Sequence, residues 1–353
     1  MTFPIEAIVF LFLLATALAV THLRDLFAAA MVFGVFSLLS AGLFTLMDAV
    51  DVAFTEAAVG AGISTVLILS TLALTDPREH QQPVRFAPVA VVLLVGAALV
   101  YGTLDMPYYG DPTAPIHKHV APEYIEGAMT DFGIPNIVTN VLASYRGYDT
   151  LGETTVVLTA TVGVMLLLGG LGGARHRGDA EVVETAGDEE PTPMDRVQVA
   201  RVSTTVLAPL IMLFGLYVQF HGDFGPGGGF QAGVIFASAL ILHGIVFGLS
   251  SLKRVVSPRF LEIGLAAGVL IYAGTGVASL FRDGTFLDYA VLDHHSAQHG
   301  RHLGILLVEA GVGITVTCAM VLIFFFFAGR RAAKSEGPGV EHGGPGDRNR
   351  RVA

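Results

Sequence analysis

Long apolar segments alternate with shorter polar ones along almost the whole chain. An α-helix needs about 17–25 apolar residues to cross a bilayer while it satisfies its own backbone hydrogen bonds. Nine segments have this length, and they lie at approximately 4–21, 26–47, 54–74, 86–104, 151–171, 201–220, 230–250, 260–280 and 303–328. The pattern therefore predicts an all-α integral membrane protein with about nine transmembrane helices.

Polar segments divide these spans into groups of three, two and four. Residues 75–85 form a short polar connection after the third span, and residues 172–200 form an acidic linker with Pro and Gly after the fifth. The segment 105–150, between the fourth and fifth spans, is too long for a simple connection. Its amphipathic part predicts a helix on the outer membrane surface that turns into the fifth span at Gly152.

Composition supports the membrane assignment, because 53% of the residues are hydrophobic, only 14% are charged and the mean hydropathy is +0.65. Lys and Arg remain preferentially on the cytoplasmic side of a membrane. An outer N-terminus and a cytoplasmic C-terminus leave few of the 20 Lys and Arg residues outside, namely Lys118, Arg146, Arg282 and Arg301. We therefore expect a multi-pass protein of the cytoplasmic (inner) cell membrane with this orientation.

Three long motifs occur in a fixed order: MDAVDVAFTEAAVGAGISTVLIL at 47–69, NIVTNVLASYRGYDTLGETTVVLTATVGV at 136–164 and HGDFGPGGGFQAGVIFASALIL at 221–242. They resemble, in that order, the MbhD-type and MbhE-type domains and the MrpB (MnhB) family of Mrp-type antiporters and membrane-bound hydrogenases. The resemblance implies an MbhD-like domain at 1–80, an MbhE-like domain at 81–172, a cytoplasmic linker at 173–200, an MrpB/MnhB-like domain at 201–330 and a polar tail at 331–353.

This resemblance implies a membrane subunit of a multisubunit monovalent cation (Na+)/proton antiporter that contributes to the ion path. Such a chain is a transporter subunit rather than an enzyme. The expected partners are other Mrp/Mbh-type membrane subunits, Na+, H+ and the lipid bilayer; no cofactor and no nucleic acid is expected. The long antiporter-like domain that precedes the MbhD-type segment in a large subunit is missing from this sequence, so we do not expect the chain to transport ions alone.

Two other functions remain open at this level. The same domains occur in ion-translocating membrane subunits of hydrogenases and other complex I-like redox complexes. A purely structural scaffold is the third possibility. The single cysteine, Cys318, excludes an internal disulfide and a cysteine-based metal cluster.

Acidic residues inside apolar spans are candidates for the ion pathway, because a carboxylate in hydrocarbon is costly and usually functional. Glu309 lies about six residues into the last span and has no oppositely charged neighbour in sequence. Glu56 enters the third span, where it either relays protons or makes an interhelix hydrogen bond. These two residues are the first candidates.

Three further residues have both a functional and a structural interpretation. Asp51 lies at the outer boundary of the third span and either faces the pathway or caps the helix. Glu153 is predicted in the first turn of the fifth span, a position that the helix dipole also favours. His243 is either a partner or relay for Glu309 or a simply hydrogen-bonded imidazole.

The glycine-rich stretch between the sixth and seventh spans predicts a tight reversal. Pro226 cannot continue a helix, and Gly227, Gly228 and Gly229 permit a sharp turn. Gly229 and Gly233 also form a small-xxx-small pair that favours close helix packing. Alternatively, exposed backbone groups coordinate a cation or hold water. The stretch lacks the Gly-Lys-Ser/Thr that a phosphate loop needs, so nucleotide binding is not expected.

Histidines near residue 300 raise the question of a metal site. Positions 295 and 299 would meet on one helix face, as would 299 and 302, but no cysteine or supporting hydrogen-bond pattern accompanies them. The set comprises His294, His295, His299 and His302. We predict no metal there.

Overall fold

The protein is represented by a computed structural model. It describes residues 3–72, 75–76, 78–79, 85–108, 110–170 and 198–335. The helices in chain order are α1 (Phe3–His22), α2 (Leu26–Leu46), α3 (Val50–Glu56), α4 (Ser64–Leu72), α5 (Phe86–Gly102), α6 (Ala121–Gly127), α7 (Ile137–Asn140), α8 (Gly147–Met165), α9 (Gln198–His221), α10 (Gly229–Phe247), α11 (Leu249–Val255), α12 (Pro258–Leu280) and α13 (Ala297–Ser335).

The predicted all-α membrane fold is confirmed within these described ranges. Eight helical stretches are long and apolar enough to cross a membrane, and α5 is a shorter apolar helix. The third predicted span comprises α3, a π-helical segment and α4. The orientation and the domain boundaries stay predictions. Most of the predicted linker, the last part of the predicted tail and part of the connection at 75–85 lie outside the described residues.

Local signals fix where several helices begin. Asp25 caps α2, because its carboxylate accepts a hydrogen bond from the Ala28 amide at 2.9 Å. Ser257 caps α12 in the same way, and Pro258 occupies the first helical position, where its missing N–H costs nothing. Short polar sequences thus end one apolar helix and start the next.

The long helix α13 forms the centre of the fold. It packs against α8, α10 and α12 and against the short helix Tyr289–Leu292. The largest hydrophobic cluster includes Ile305, Val308, Val316 and Leu322 of α13, all of which are almost completely buried. Helices α10 and α12 of the last group of spans therefore pack around α13, and α8, the fifth span, joins them.

The third span is not a continuous α-helix. A π-helical segment, Ala57–Ile63, separates α3 from α4. This segment contains Gly60 and Gly62, and it contacts both α2 and α10. The first three spans are therefore attached to the central helices through all three parts of this span: α3 and the π-helical segment contact α10, and α4 contacts α13.

The outer segment enters the fifth span earlier than expected. The backbone leaves helical geometry at Arg146, and α8 begins at Gly147, so the predicted turn at Gly152 is wrong. The Tyr272 hydroxyl donates a hydrogen bond to the Gly147 carbonyl at 2.7 Å and ties the start of α8 to α12. Arg146 also pairs with Asp149 at 2.5 Å. These contacts, rather than the glycine at 152, set the helix start.

Two apolar helices lie at the periphery. Helix α1 packs on α2, whereas the side chains of α5 are exposed almost throughout, including Leu94 at 72% and Tyr101 at 76%. In a membrane such surfaces contact lipid or another subunit, because neither surface contains charged residues in its central turns.

The packing of α12 on α13 yields a first testable prediction. A Cβ added at Gly268 would contact the Gly311 carbonyl, a backbone atom that cannot rotate away, whereas one added at Gly274 of the same helix would meet nothing within 4 Å. We expect Gly268→Ala to lower the free energy of unfolding by about 1–3 kcal/mol through overpacking. Heat-induced unfolding of the protein in detergent measures this effect.

Gly274→Ala is the matched control, since it adds the same methyl group to the same helix without a contact. It should unfold at the temperature of the unmodified protein or slightly above it. Equal unfolding temperatures for the two variants would contradict the close approach of α12 and α13.

Candidate functional site

A cavity of about 280 Å³ lies between helices of all three groups of spans. Its volume is sufficient for several water molecules. Three acidic residues line it, and each comes from a different group: Asp51 from the first, Glu153 from the second and Glu309 from the third. The cavity wall is otherwise largely apolar. Carboxylates that are far apart in sequence thus share one small internal space.

Glu309 lies deeper in its helix than the sequence indicated. Because α13 begins at Ala297, Glu309 is twelve residues from the helix start, or about 18 Å along the axis. One carboxylate oxygen is 3.0 Å from the position that a Cβ on Gly228 would occupy. Among the described residues, no hydrogen bond or ion pair to this carboxylate is present. It is therefore available to a proton, water or a cation in the cavity.

Asp51 does not cap its helix. The residue before α3 is Ala49, which provides no side-chain hydrogen bond, and Asp51 lies in the first turn. Its Oδ1 is 3.4 Å from Nδ2 of Asn136. A hydrogen bond of 2.8 Å from Gln231 to Thr55 joins α10 to the next turn of α3. Contacts to the other groups of spans thus hold the start of α3 beside the cavity.

Glu153 lies in the second turn of α8, because this helix begins at Gly147. The helix dipole acts chiefly within the first turn, so it explains Glu153 less well than expected. The side chain is exposed and also lines the cavity. Glu153 therefore lies between the cavity and the solvent- or lipid-accessible surface of this chain.

Glu56 and His243 lie elsewhere. The Glu56 carboxylate and the Ser37 hydroxyl of α2 both lie within 3 Å of the point where a Cβ on Gly60 would be, so Glu56 faces α2 at the start of the π-helical segment. His243 is hydrogen-bonded to Ser251 at 3.1 Å, and its ring packs on Phe247. Gly229 is the residue of α10 that lies against the Glu309 backbone, and His243 is about 21 Å further along this helix. His243 is therefore not a partner of Glu309.

The glycine-rich loop, residues 222–228, closes one end of the cavity. Gly227 lies against the Val218 carbonyl, Pro226 precedes it in the turn, and Gly228 has a φ of 109°, which a residue with a side chain rarely adopts. Gly229 begins α10 and packs directly on the backbone carbonyl of Glu309. One turn later, Gly233 lies against the Gly313 carbonyl. Loop and helix together fix the backbone around Glu309.

Polar contacts fasten the outer segment over this region. The Arg301 guanidinium donates to the Asp131 carbonyl at 2.8 Å, and the Tyr145 hydroxyl donates to the Asp131 carboxylate at 2.8 Å. Burial and this hydrogen bond raise the pKa of Tyr145 to about 12, so the hydroxyl remains a donor at physiological pH. His302 contacts Asp223 of the loop at 2.7 Å.

The histidines near residue 300 belong to separate contacts. His299 pairs with Asp293 at 2.5 Å, whereas His302 pairs with Asp223. Within the described ranges, no group of three or more His, Cys, Asp or Glu side chains has an arrangement that could hold a metal ion.

Asn136 and Thr139, which bridge the outer segment and the loop, were not predicted from the sequence. An asparagine directly before an apolar run is a recognisable helix cap. That signal identifies the cap of α7 but not the bond to a loop more than 80 residues away. Tyr272, which also lines the cavity, lies in an apolar helix without any distinguishing local pattern.

The fold and the cavity define a class of protein: a multi-pass α-helical membrane protein in which acids from several helices face one internal space. Three family models match successive parts of the chain. Residues 11–77 match MbhD and residues 84–188 match MbhE, both of them described as subunits of MBH. Residues 199–322 match "Domain related to MnhB subunit of Na+/H+ antiporter".

Individual relatives include named antiporter subunits. The chain is 31% identical over 131 residues to "Putative antiporter subunit mnhB2" of Staphylococcus haemolyticus, covering 35% of this chain and 92% of that protein. It is 26% identical over 275 residues to a probable K(+)/H(+) antiporter subunit of Rhizobium meliloti, covering 69% of this chain but only 26% of that protein. The chain therefore belongs to the MnhB family and carries MbhD- and MbhE-related regions before its MnhB-related domain.

Two solved structures are similar in fold. A chain in the "Structure of Mrp complex from Dietzia sp. DQ12-45-1b" matches with a TM-score of 0.65 and 28% identity, over 90% of this chain and 34% of that chain. A chain of the membrane-bound sulfane sulfur reductase, an archaeal respiratory membrane complex, matches with a TM-score of 0.51 and 25% identity, over 69% of this chain and 97% of that chain.

The expected orientation predicts from which side of the membrane a reagent in solution reaches the cavity. If the N-terminus is outside, the cavity-lining Val138, which is 37% exposed, faces the outer compartment, and the exposed Val255 faces the cytoplasm. We expect Val138→Cys in right-side-out vesicles to react with a membrane-impermeant maleimide and Val255→Cys to react only in inverted vesicles. Labelling detected by gel shift measures both, and Cys318, which is buried, should stay unlabelled. The reverse pattern would refute the orientation.

Proposed function

We propose that this chain is a membrane subunit of a multisubunit monovalent cation/proton antiporter and contributes to its ion path. Membership of the MnhB family and the similarity to named antiporter subunits support the class. The observation that carries the role in ion movement is the cavity, because carboxylates from all three groups of spans face it.

The proposed mechanism is exchange of a proton and a cation at Glu309. A carboxylate that lies within a membrane span and has no ionic partner is costly when ionised, so it requires either a proton or a nearby cation. Loss of the proton when the cation arrives would couple the two ions without a covalent step. Asp51 and Glu153 line the same cavity and would pass ions to and from Glu309.

Glu56 and His243 have different places in this proposal. Glu56 lies outside the cavity, beside the π-helical segment, and is a candidate for a separate proton step between α2 and α3. Such widened helical turns occur frequently at functional sites. His243, hydrogen-bonded to Ser251, is a candidate only for a step remote from the cavity.

The proposal includes a cytoplasmic-membrane location, Na+ and H+ as the ions, and assembly with other Mrp-type subunits. The exposed apolar surfaces of α1 and α5 are suited to contact with lipid or with other subunits. A transporter subunit of this kind is not an enzyme. The redox-driven alternative is not favoured, because the antiporter complex matches more of this chain, and with a higher TM-score, than the respiratory complex does.

Transport in vesicles that contain the complete complex tests this function. We expect Glu309→Gln to reduce Na+-driven proton movement at least about tenfold, because glutamine keeps the size but neither releases a proton nor compensates a cation charge. Asp51→Asn and Glu153→Gln should produce smaller losses. A pH-sensitive dye reports the rate under an imposed sodium gradient.

Glu262→Gln is the matched control, since Glu262 is an exposed acid near the start of α12 and is remote from the cavity. Its variant should assemble and transport as the unmodified complex does. Normal exchange by an assembled Glu309→Gln complex would refute the relay and favour a scaffold. Absence of sodium-dependent proton movement in the unmodified complex would refute antiport itself.

A further inference from the structure

In the described structure, the side chain of Asn136 has hydrogen-bond neighbours in the first and third groups of spans and itself belongs to the second. It belongs to the outer segment of the second group. Its Nδ2 lies 3.4 Å from Asp51 of the first group and 2.9 Å from the carbonyl oxygens of Gly222 and Gly225 in the third. The side chain is 8% exposed.

The hydrogen-bonding capacity of this amide is fully used. Oδ1 accepts from the Val138 amide at 2.9 Å and from the Thr139 amide at 3.4 Å, which caps α7. These bonds identify which atom of the amide group is the oxygen, since it faces two N–H donors. The two hydrogens of Nδ2 point to the carbonyl oxygens of Gly222 and Gly225. The third neighbour of Nδ2, the Asp51 carboxylate, is held beside them.

Two further hydrogen bonds from the outer segment hold the first residues of the glycine-rich loop. The Asn136 amide donates to the Asp223 carbonyl at 3.2 Å, and the Thr139 hydroxyl donates to the Gly222 carbonyl at 2.6 Å. At its other end the loop reaches Gly228, which faces the Glu309 carboxylate. The position of the loop therefore affects the surroundings of both Asp51 and Glu309.

We propose that Asn136 is a positioning residue for ion exchange: its amide group locks the glycine-rich loop over the cavity, beside Asp51 and Glu309. The part concerning exchange rests on the proposed antiport function. The locking of the loop is a separate structural statement, and it can be tested without transport.

Two substitutions separate this role from helix capping. Serine and aspartate cap a helix about as well as asparagine, but neither has the Nδ2 donors. Asn136→Ser and Asn136→Asp should therefore retain α7 while they release Gly222 and Gly225. Asn140→Ser is the control, because the buried Asn140 amide donates only to Ile134 of its own segment.

Hydrogen exchange of the complete complex, followed by mass spectrometry, tests the lock. Loss of two hydrogen bonds should accelerate exchange of the amides in residues 222–228 about tenfold in both Asn136 variants. The loop should exchange at the unmodified rate in Asn140→Ser. Unchanged loop exchange in assembled Asn136→Ser and Asn136→Asp complexes would overturn the lock and, with it, the proposal.

Sodium-dependent proton movement in vesicles tests the positioning role. We expect both Asn136 variants to raise the half-saturating Na+ concentration about tenfold while the maximal rate changes by less than about twofold, since the carboxylates remain but are misplaced. A variant with a freed loop and an unchanged half-saturating concentration would overturn the role in ion exchange. If the unmodified complex lacks antiport, the antiport function fails, and the exchange measurement still decides the lock.

Discussion

The close packing of α10 and α12 on α13 is the constraint on which the rest of the structure depends. Glycines at the contacts bring backbone against backbone: Gly229 lies on the Glu309 carbonyl, and Gly268 lies on the Gly311 carbonyl. Packing at this distance leaves no freedom for the helix segment that carries Glu309. Close packing of the glycines therefore fixes the backbone at Glu309 and so places its side chain at the cavity. No hydrogen bond to the carboxylate among the described residues contributes to this placement.

The remaining groups of spans complete the cavity around this fixed residue. The first contributes Asp51 through the start of α3, and the second contributes Glu153 because Tyr272 fixes the start of α8 at Gly147. Asn136 then joins the outer segment to the loop above Glu309. The proposed ion exchange would require that acids from separate groups of spans keep their relative positions, and these polar contacts hold the segments that carry them together.

The apolar pattern predicted the spans well, because helix length and composition are local properties of a sequence. The candidate site was predicted only in part. Asp51, Glu153 and Glu309 share the cavity, whereas Glu56 and His243 lie outside it. A local glycine spacing indicates that a helix packs closely, but it does not identify which distant helix it meets. The early start of α8 depends on the contact of Tyr272 with Gly147, and the bonds of Asn136 to the loop likewise join segments far apart in sequence, which explains why Asn136 was missed.

In the proposed exchange, a cation displaces the proton of Glu309. Infrared difference spectroscopy of the assembled complex, recorded before and after addition of Na+, measures the protonation of this carboxyl group. We predict loss of a protonated carboxyl band on Na+ addition, and the same difference spectrum of Glu309→Gln should lack that signal. A Na+-induced carboxyl signal that persists unchanged in Glu309→Gln would contradict the claim.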